Sequence, residues 1–138
     1  FPTNRTAFMP KSTILASGTD NVGIPLMDVY TGRLALSMST ARAVKWTDPS
    51  TGKTISPVSA PDVTDIAFSP DGTILAIAAW SEIQLRSTKT NELLAYFEIP
   101  EGNGATKISF SPDSLLIAVG TNNGNLYIIG AKDLVTGK

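Results

Sequence analysis

Histidine and cysteine are both missing from this 138-residue chain. Without histidine there is no Ser-His-Asp triad, no imidazole acid or base, and no His-ligated metal. Without cysteine there is no disulfide and no thiolate metal site, and the redox compartment stays open. No apolar run is long enough to cross a bilayer, so membrane insertion is not expected. An excess of charge is missing too: 11 basic and 12 acidic residues leave a net charge of −1. Such a chain has no basic field to attract phosphates, which argues against nucleic acid as a partner. What remains, 42% hydrophobic and 17% charged residues, is the composition of an ordinary globular domain long enough to bury a sizeable core. The sequence starts at Phe1 rather than Met, so an upstream segment is expected to have been removed or left out.

What is present is organised around the stretch from Asp65 to Glu92. Ile66-Ala67-Phe68 is a short apolar strand. Ser69-Pro70-Asp71-Gly72 follows as a type I turn, with Pro pre-setting φ and Gly closing the bend. Ile74 to Ala79 is a continuous apolar run, as in a strand covered on both faces. Ile83-Gln84-Leu85 alternates like a half-exposed strand, and the turn at Lys89 to Glu92 opens into Leu93 to Phe97. Four antiparallel strands in about forty residues make one compact sheet.

The template recurs. From Ile108, Phe110 and Pro112-Asp113 stand where Phe68 and Pro70-Asp71 stood; from Thr6, Phe8, Pro10 and Ile14-Leu15-Ala16 repeat it. Phe68 and Phe110 lie about 42 residues apart, within the roughly 40–45 typical of a four-stranded propeller blade. The Phe-Ser-Pro-Asp-Gly turn, the Leu-Ala-Ser-Gly type of strand ending and the Thr-Gly-Arg or Thr-Gly-Lys turns together resemble the WD40-repeat family. The resemblance implies an all-β, WD40-like β-propeller, or a partial propeller, of four-stranded antiparallel blades. With no histidine, the His-Trp-Asp hydrogen-bond network usual in that family is broken, and the repeats are degenerate. Packing of Phe8, Phe68 and Phe110 is expected to carry blade stability instead.

Read this way, the chain is a single propeller segment of about three and a half blades. The first blade covers 6–38; in its third strand Met27 stands where the family has Trp, and Pro25 removes a ladder donor. Residues 39–61 hold only two strands, around Ala43–Trp46 and Thr54–Val58. They are either an inner pair or an outer pair; Trp46, Asp48 and the Thr51-Gly52-Lys53 turn favour the outer pair, as does Pro57, which an edge strand tolerates. The next blade covers 62–100, and the last covers 104–138 without its outermost strand.

Candidate chemistry is sparse. No catalytic, cofactor-binding or metal-binding residue is assigned. Asp62, Asp71 and Asp113 invite comparison with a glycosidase carboxylate pair, but Asp71 and Asp113 occupy matching turns where Asp serves the turn. Gly18-Thr19-Asp20-Asn21 and Asn122-Asn123-Gly124-Asn125 read as tight turns and lack the acidic spacing of calcium loops. Asn4-Arg5-Thr6 is a sequon of the kind chance often supplies. Three residues are candidates for partner binding. Trp80 sits at a rim turn, as a contact anchor or as packing against the next blade. Asp65 and Lys107, just ahead of innermost strands, map to the rim that the resemblance implies is partner-facing.

The resemblance implies a non-catalytic platform for protein–protein contacts, part of a larger propeller or complex. The alternative is a structural subunit that self-assembles through exposed blade flanks, because an open arc leaves two apolar faces uncovered. Expected partners are proteins, either the remainder of a larger propeller or further copies of the chain; an intracellular, cytoplasmic location is expected.

Overall fold

The computed structural model describes residues 5–18, 23–40, 42–43, 46–55, 58–59, 62–100 and 103–131. Asn4, Thr19 to Asn21, Pro57 and the closing Thr136-Gly137-Lys138 turn lie outside them.

The first sheet has the order β1 (Arg5–Phe8), β2 (Ile14–Gly18), β3 (Ile24–Asp28) and β4 (Leu34–Met38), every neighbour antiparallel. Pro25 is accommodated because the β2–β3 ladder ends at Ala16↔Leu26, one residue before the missing donor. Next come short pieces: β5 (Arg42–Ala43) pairs with β8 (Val58–Ser59), and β6 (Trp46–Thr47) with β7 (Thr54–Ile55), one above the other on a single hairpin. The second sheet is β9 (Val63–Phe68), β10 (Ile74–Ala79), β11 (Glu82–Ser87) and β12 (Leu93–Glu98). The third is β13 (Ala105–Phe110), β14 (Leu116–Thr121) and β15 (Leu126–Gly130). Three sheets of consecutive antiparallel strands, stacked face to face, make a partial β-propeller.

Turn chemistry sets the repeat. Between the first two strands of each sheet, the N–H of Met9, Ser69 and Ser111 reaches the carbonyl of Ile14, Ile74 and Leu116 at 2.9 Å. Gly72 takes φ +76°, the left-handed region that glycine enters at no steric cost. Between third and fourth strands a second turn recurs, in which Asp28 and Ser87 N–H bond to Arg33 and Glu92 O, at 2.9 and 3.0 Å. The hairpin has this second kind: Asp48 N–H bonds Lys53 O, and Gly52 N–H bonds Asp48 O, both at 2.8 Å.

The first kind of turn also carries a pH dependence. Hydrogen bonds hold the Asp71 carboxyl below the usual carboxylate range, led by the Ser69 hydroxyl at 2.5 Å and then by Thr73. Asp113 is lowered in the same way, first by Ser111 and then by Leu115 N–H. A carboxyl whose pKa falls on folding adds stability above its unfolded value, near 3.9, and loses it as pH drops through the lower folded value. Acidification below about pH 4 is therefore expected to loosen both turns. In urea titrations, Asp71→Asn/Asp113→Asn should lower the midpoint at neutral pH and narrow its gap to the midpoint at about pH 2.5. An unchanged gap would refute this role.

Two apolar cores lie between the sheets. One joins Ala16, Ile24, Leu26 and Met38 of the first sheet to Val63, Ile66, Phe68, Leu75 and Ile77 of the second. The other joins Ala76, Ala78, Ile83 and Leu85 to Ala105, Ile108, Ile117 and Val119. Strand β10 feeds both, which is why its sequence is apolar without alternation. The first and second sheets are in direct contact: Arg5 Nε donates to Thr64 O at 2.6 Å, across from β1 to β9.

Two expectations are corrected by this stacking. Strand β11 is buried on both faces rather than half exposed, so Glu82, Gln84 and Arg86 lie inside. The three phenylalanines also differ: Phe68 is buried at 9% exposure and Phe110 is partly buried, whereas Phe8 is 62% exposed because its face has no sheet against it among the described residues.

Candidate functional site

The candidate site residues occupy one corner, where β9, β10 and β13 meet. Asp65 lies on β9 opposite Ala78. Its Oδ2 accepts the backbone N–H of Ile108 at 3.0 Å, a bond from the second sheet to the third. Lys107 is the residue before Ile108; it is exposed and opposite Gly120 on β14. Trp80 ends β10, and its carbonyl accepts Ala105 N–H at 3.0 Å, at the start of β13. Asp65 and Lys107 thus lie on neighbouring strands facing the following sheet, and Trp80 stands at the rim above them.

Trp80 is held by the absence of a side chain. A Cβ on Gly104 would lie 2.6 Å from three atoms of the indole, so the ring rests directly on the Gly104 backbone. Gly104 is fixed in turn: its N–H donates to Asn122 Oδ1 at 2.8 Å, and its carbonyl accepts Asn122 N–H at 2.9 Å. Asn103 Nδ2 reaches the Tyr127 hydroxyl at 3.5 Å, and Asn123 Nδ2 donates to Asn103 Oδ1. Thr121 Oγ1 donates to Asn123 Oδ1 at 2.6 Å. Asparagines on the β14–β15 turn and the β12–β13 crossover therefore tie three connections into one rim. Trp80 remains 53% exposed on it, large enough to act as a fixed apolar contact.

Sequence reasoning missed the buried polar row of Glu82, Gln84 and Arg86. Gln84 Nε2 donates to Thr40 O at 2.8 Å and to Glu82 Oε1 at 2.6 Å. Its Oε1 accepts from Arg86 Nε at 3.1 Å, and Arg86 Nη1 donates to Asn91 O at 3.0 Å. Burial pushes the Arg86 guanidinium below its ordinary value, and the Glu82 carboxylate opposes that shift. The row anchors Thr40, on the connection that leads into the hairpin. Its signal was the i, i+2, i+4 spacing of polar residues, which puts all three on one face.

Catalytic geometry is not assembled. Asp71 and Asp113 are each engaged by their own turn's Ser and backbone, and among the described residues no group of three or more His, Cys, Asp or Glu side chains forms a metal-binding cluster. Among them, too, no helix is long and apolar enough to cross a membrane.

Residues 52–82 match the family model for the WD domain, G-beta repeat. The match starts in the hairpin turn, runs through β7 to β10, and ends at the first residue of β11. No curated protein matches the chain.

Proposed function

The chain is a WD40-repeat protein, a family whose repeats typically serve as non-catalytic protein–protein interaction modules, and on that premise we propose that this arc is a rigid binding platform rather than an enzyme. The observation that carries the reading is Trp80 on Gly104: a large half-exposed ring on a rim already cross-linked by backbone and asparagine hydrogen bonds. A contact residue held this way loses little conformational entropy when a partner docks. Asp65 and Lys107 serve the same platform differently, as inter-blade fasteners beneath the rim. The hairpin, whose turn is of the third-to-fourth-strand kind, is an outer-strand pair carried on the crossover between two adjoining blades.

The test is affinity capture with the wild-type chain and Trp80→Ala as baits, followed by titration of the captured protein. Trp80→Ala should weaken binding at least about tenfold, while moving fold stability by no more than about 1 kcal/mol, because the ring is half exposed. Equal binding by both baits would sink the assignment of Trp80.

A further inference from the structure

Register makes each sheet's cross-strand rows counterparts of the next sheet's. Phe8, Leu15, Met27 and Leu34 form one row in the first sheet. Phe68, Leu75, Arg86 and Leu93 are its counterpart in the second, and Phe110, Ile117 and Ile129 in the third. In the second and third sheets this row faces the preceding sheet, and Leu75 and Ile117 are fully buried. In the first sheet it is open, with Phe8 62% and Leu34 59% exposed.

The opposite faces also correspond. Ala7, Ala16 and Leu26 in the first sheet and Ala67, Ala76 and Leu85 in the second pack against the following sheet. Their counterpart in the third sheet is Ser109, Ala118 and Ile128, with Ile128 58% exposed. Arg5, Asp65 and Lys107 are counterparts as well. Arg5 donates to a carbonyl of the next innermost strand, and Asp65 accepts from an N–H of the one after.

We propose that the open face of the third sheet receives the open face of the first sheet of a second copy of this chain, head to tail. The inference rests on the platform reading only in taking the sheets as blades. Both interfaces already formed pair an aromatic-led row with an alanine-led one. The chain's two open faces are one of each kind, so a second copy supplies the complement at either end. Lys107 then donates to a backbone carbonyl of the incoming innermost strand, as Arg5 does to Thr64. Two copies joined at both ends close a ring of roughly six blades, within the usual four to eight.

The experiment measures the covalent mass of the protein as the cell makes it, then its solution mass across a dilution series. Wild type, Phe8→Asp, Ile128→Asp and an equimolar mixture of the two variants are compared. Both substituted positions are exposed, and circular dichroism confirms that each variant folds. The expected result is a 14.6 kDa chain with twice that mass in solution. Each variant alone falls to the single-chain mass. The mixture regains the doubled mass, because one junction in the mixed pair joins two unaltered faces. A longer covalent chain, a wild-type monomer, variants that still dimerise, or a mixture that stays monomeric would each overturn the proposal. A monomer that still captures its partner through Trp80 would leave the platform reading standing; a dimer with no Trp80-dependent capture would do the reverse.

Discussion

Gln84→Ala is expected to destabilise the fold by roughly 3 kcal/mol or more. The side chain is fully buried, and its loss removes one hydrogen bond each from Thr40 O, Glu82 and Arg86. A buried polar group deprived of a partner costs about 1–3 kcal/mol, and the vacated volume adds a cavity term. Gln84→Met separates the two contributions. It restores most of the volume and none of the hydrogen bonds, so it should recover only the cavity part. Urea unfolding of both variants is the measurement. If methionine restored wild-type stability, packing alone would explain the site and the polar row would be incidental. Against a total stability of about 5–15 kcal/mol, the expected loss is large enough to unfold a substantial part of the population at 37 °C.

The second large effect comes from comparing register-equivalent leucines. Leu75 is fully buried between the first and second sheets, whereas Leu15 holds the same position on the open face of the first sheet. Leu75→Ala should cost about 2–5 kcal/mol, as for a leucine deleted from a packed core. Leu15→Ala should cost under about 1 kcal/mol in dilute solution, because little of its environment is lost. At concentrations where a second copy covers that face, the Leu15 cost should rise, since any contact made only by the folded dimer shifts stability by mass action. Chemical denaturation at two protein concentrations reads both numbers. Equal costs for the two leucines at high dilution would show that the first sheet's outer face is already covered, and the row equivalence would fail.

The repeat was legible in the residues because its turns are specified locally. Pro70-Asp71-Gly72 and Pro112-Asp113 dictate backbone angles without help from distant parts of the chain, and the strands they bracket followed: Ile74–Ala79 and Ile24–Asp28 were read with their structural bounds. Burial was less legible, because it depends on what stacks against a face. Ile83-Gln84-Leu85-Arg86 alternates as a surface strand does, and nothing within it signals that the first sheet covers its polar side. Phe8 shows the converse, since its sequence context equals that of Phe68 while its exposure is opposite. The direct contact of β1 with β9 was obscured for a third reason. The hairpin lies between them in sequence, so linear spacing suggested partial blade content where the sheets themselves adjoin. Of the candidate residues, Trp80 could be located from its place at a strand end. The bond from Asp65 to Ile108 could not, because it joins residues 43 apart.

The alanine columns have a geometric consequence. From innermost to third strand, Ala67, Ala76 and Leu85 run small, small, large, and Ala7, Ala16 and Leu26 do the same. Side chains that widen outward act as a wedge, letting backbones approach at the axis and splaying them at the periphery. The wedge fixes the angular step from one sheet to the next, and that step determines how many sheets complete a circle. Ala76 and Ala16 are thus the positions at which one added methyl group would flatten the wedge, making the curvature of the arc a property written into two methyl side chains.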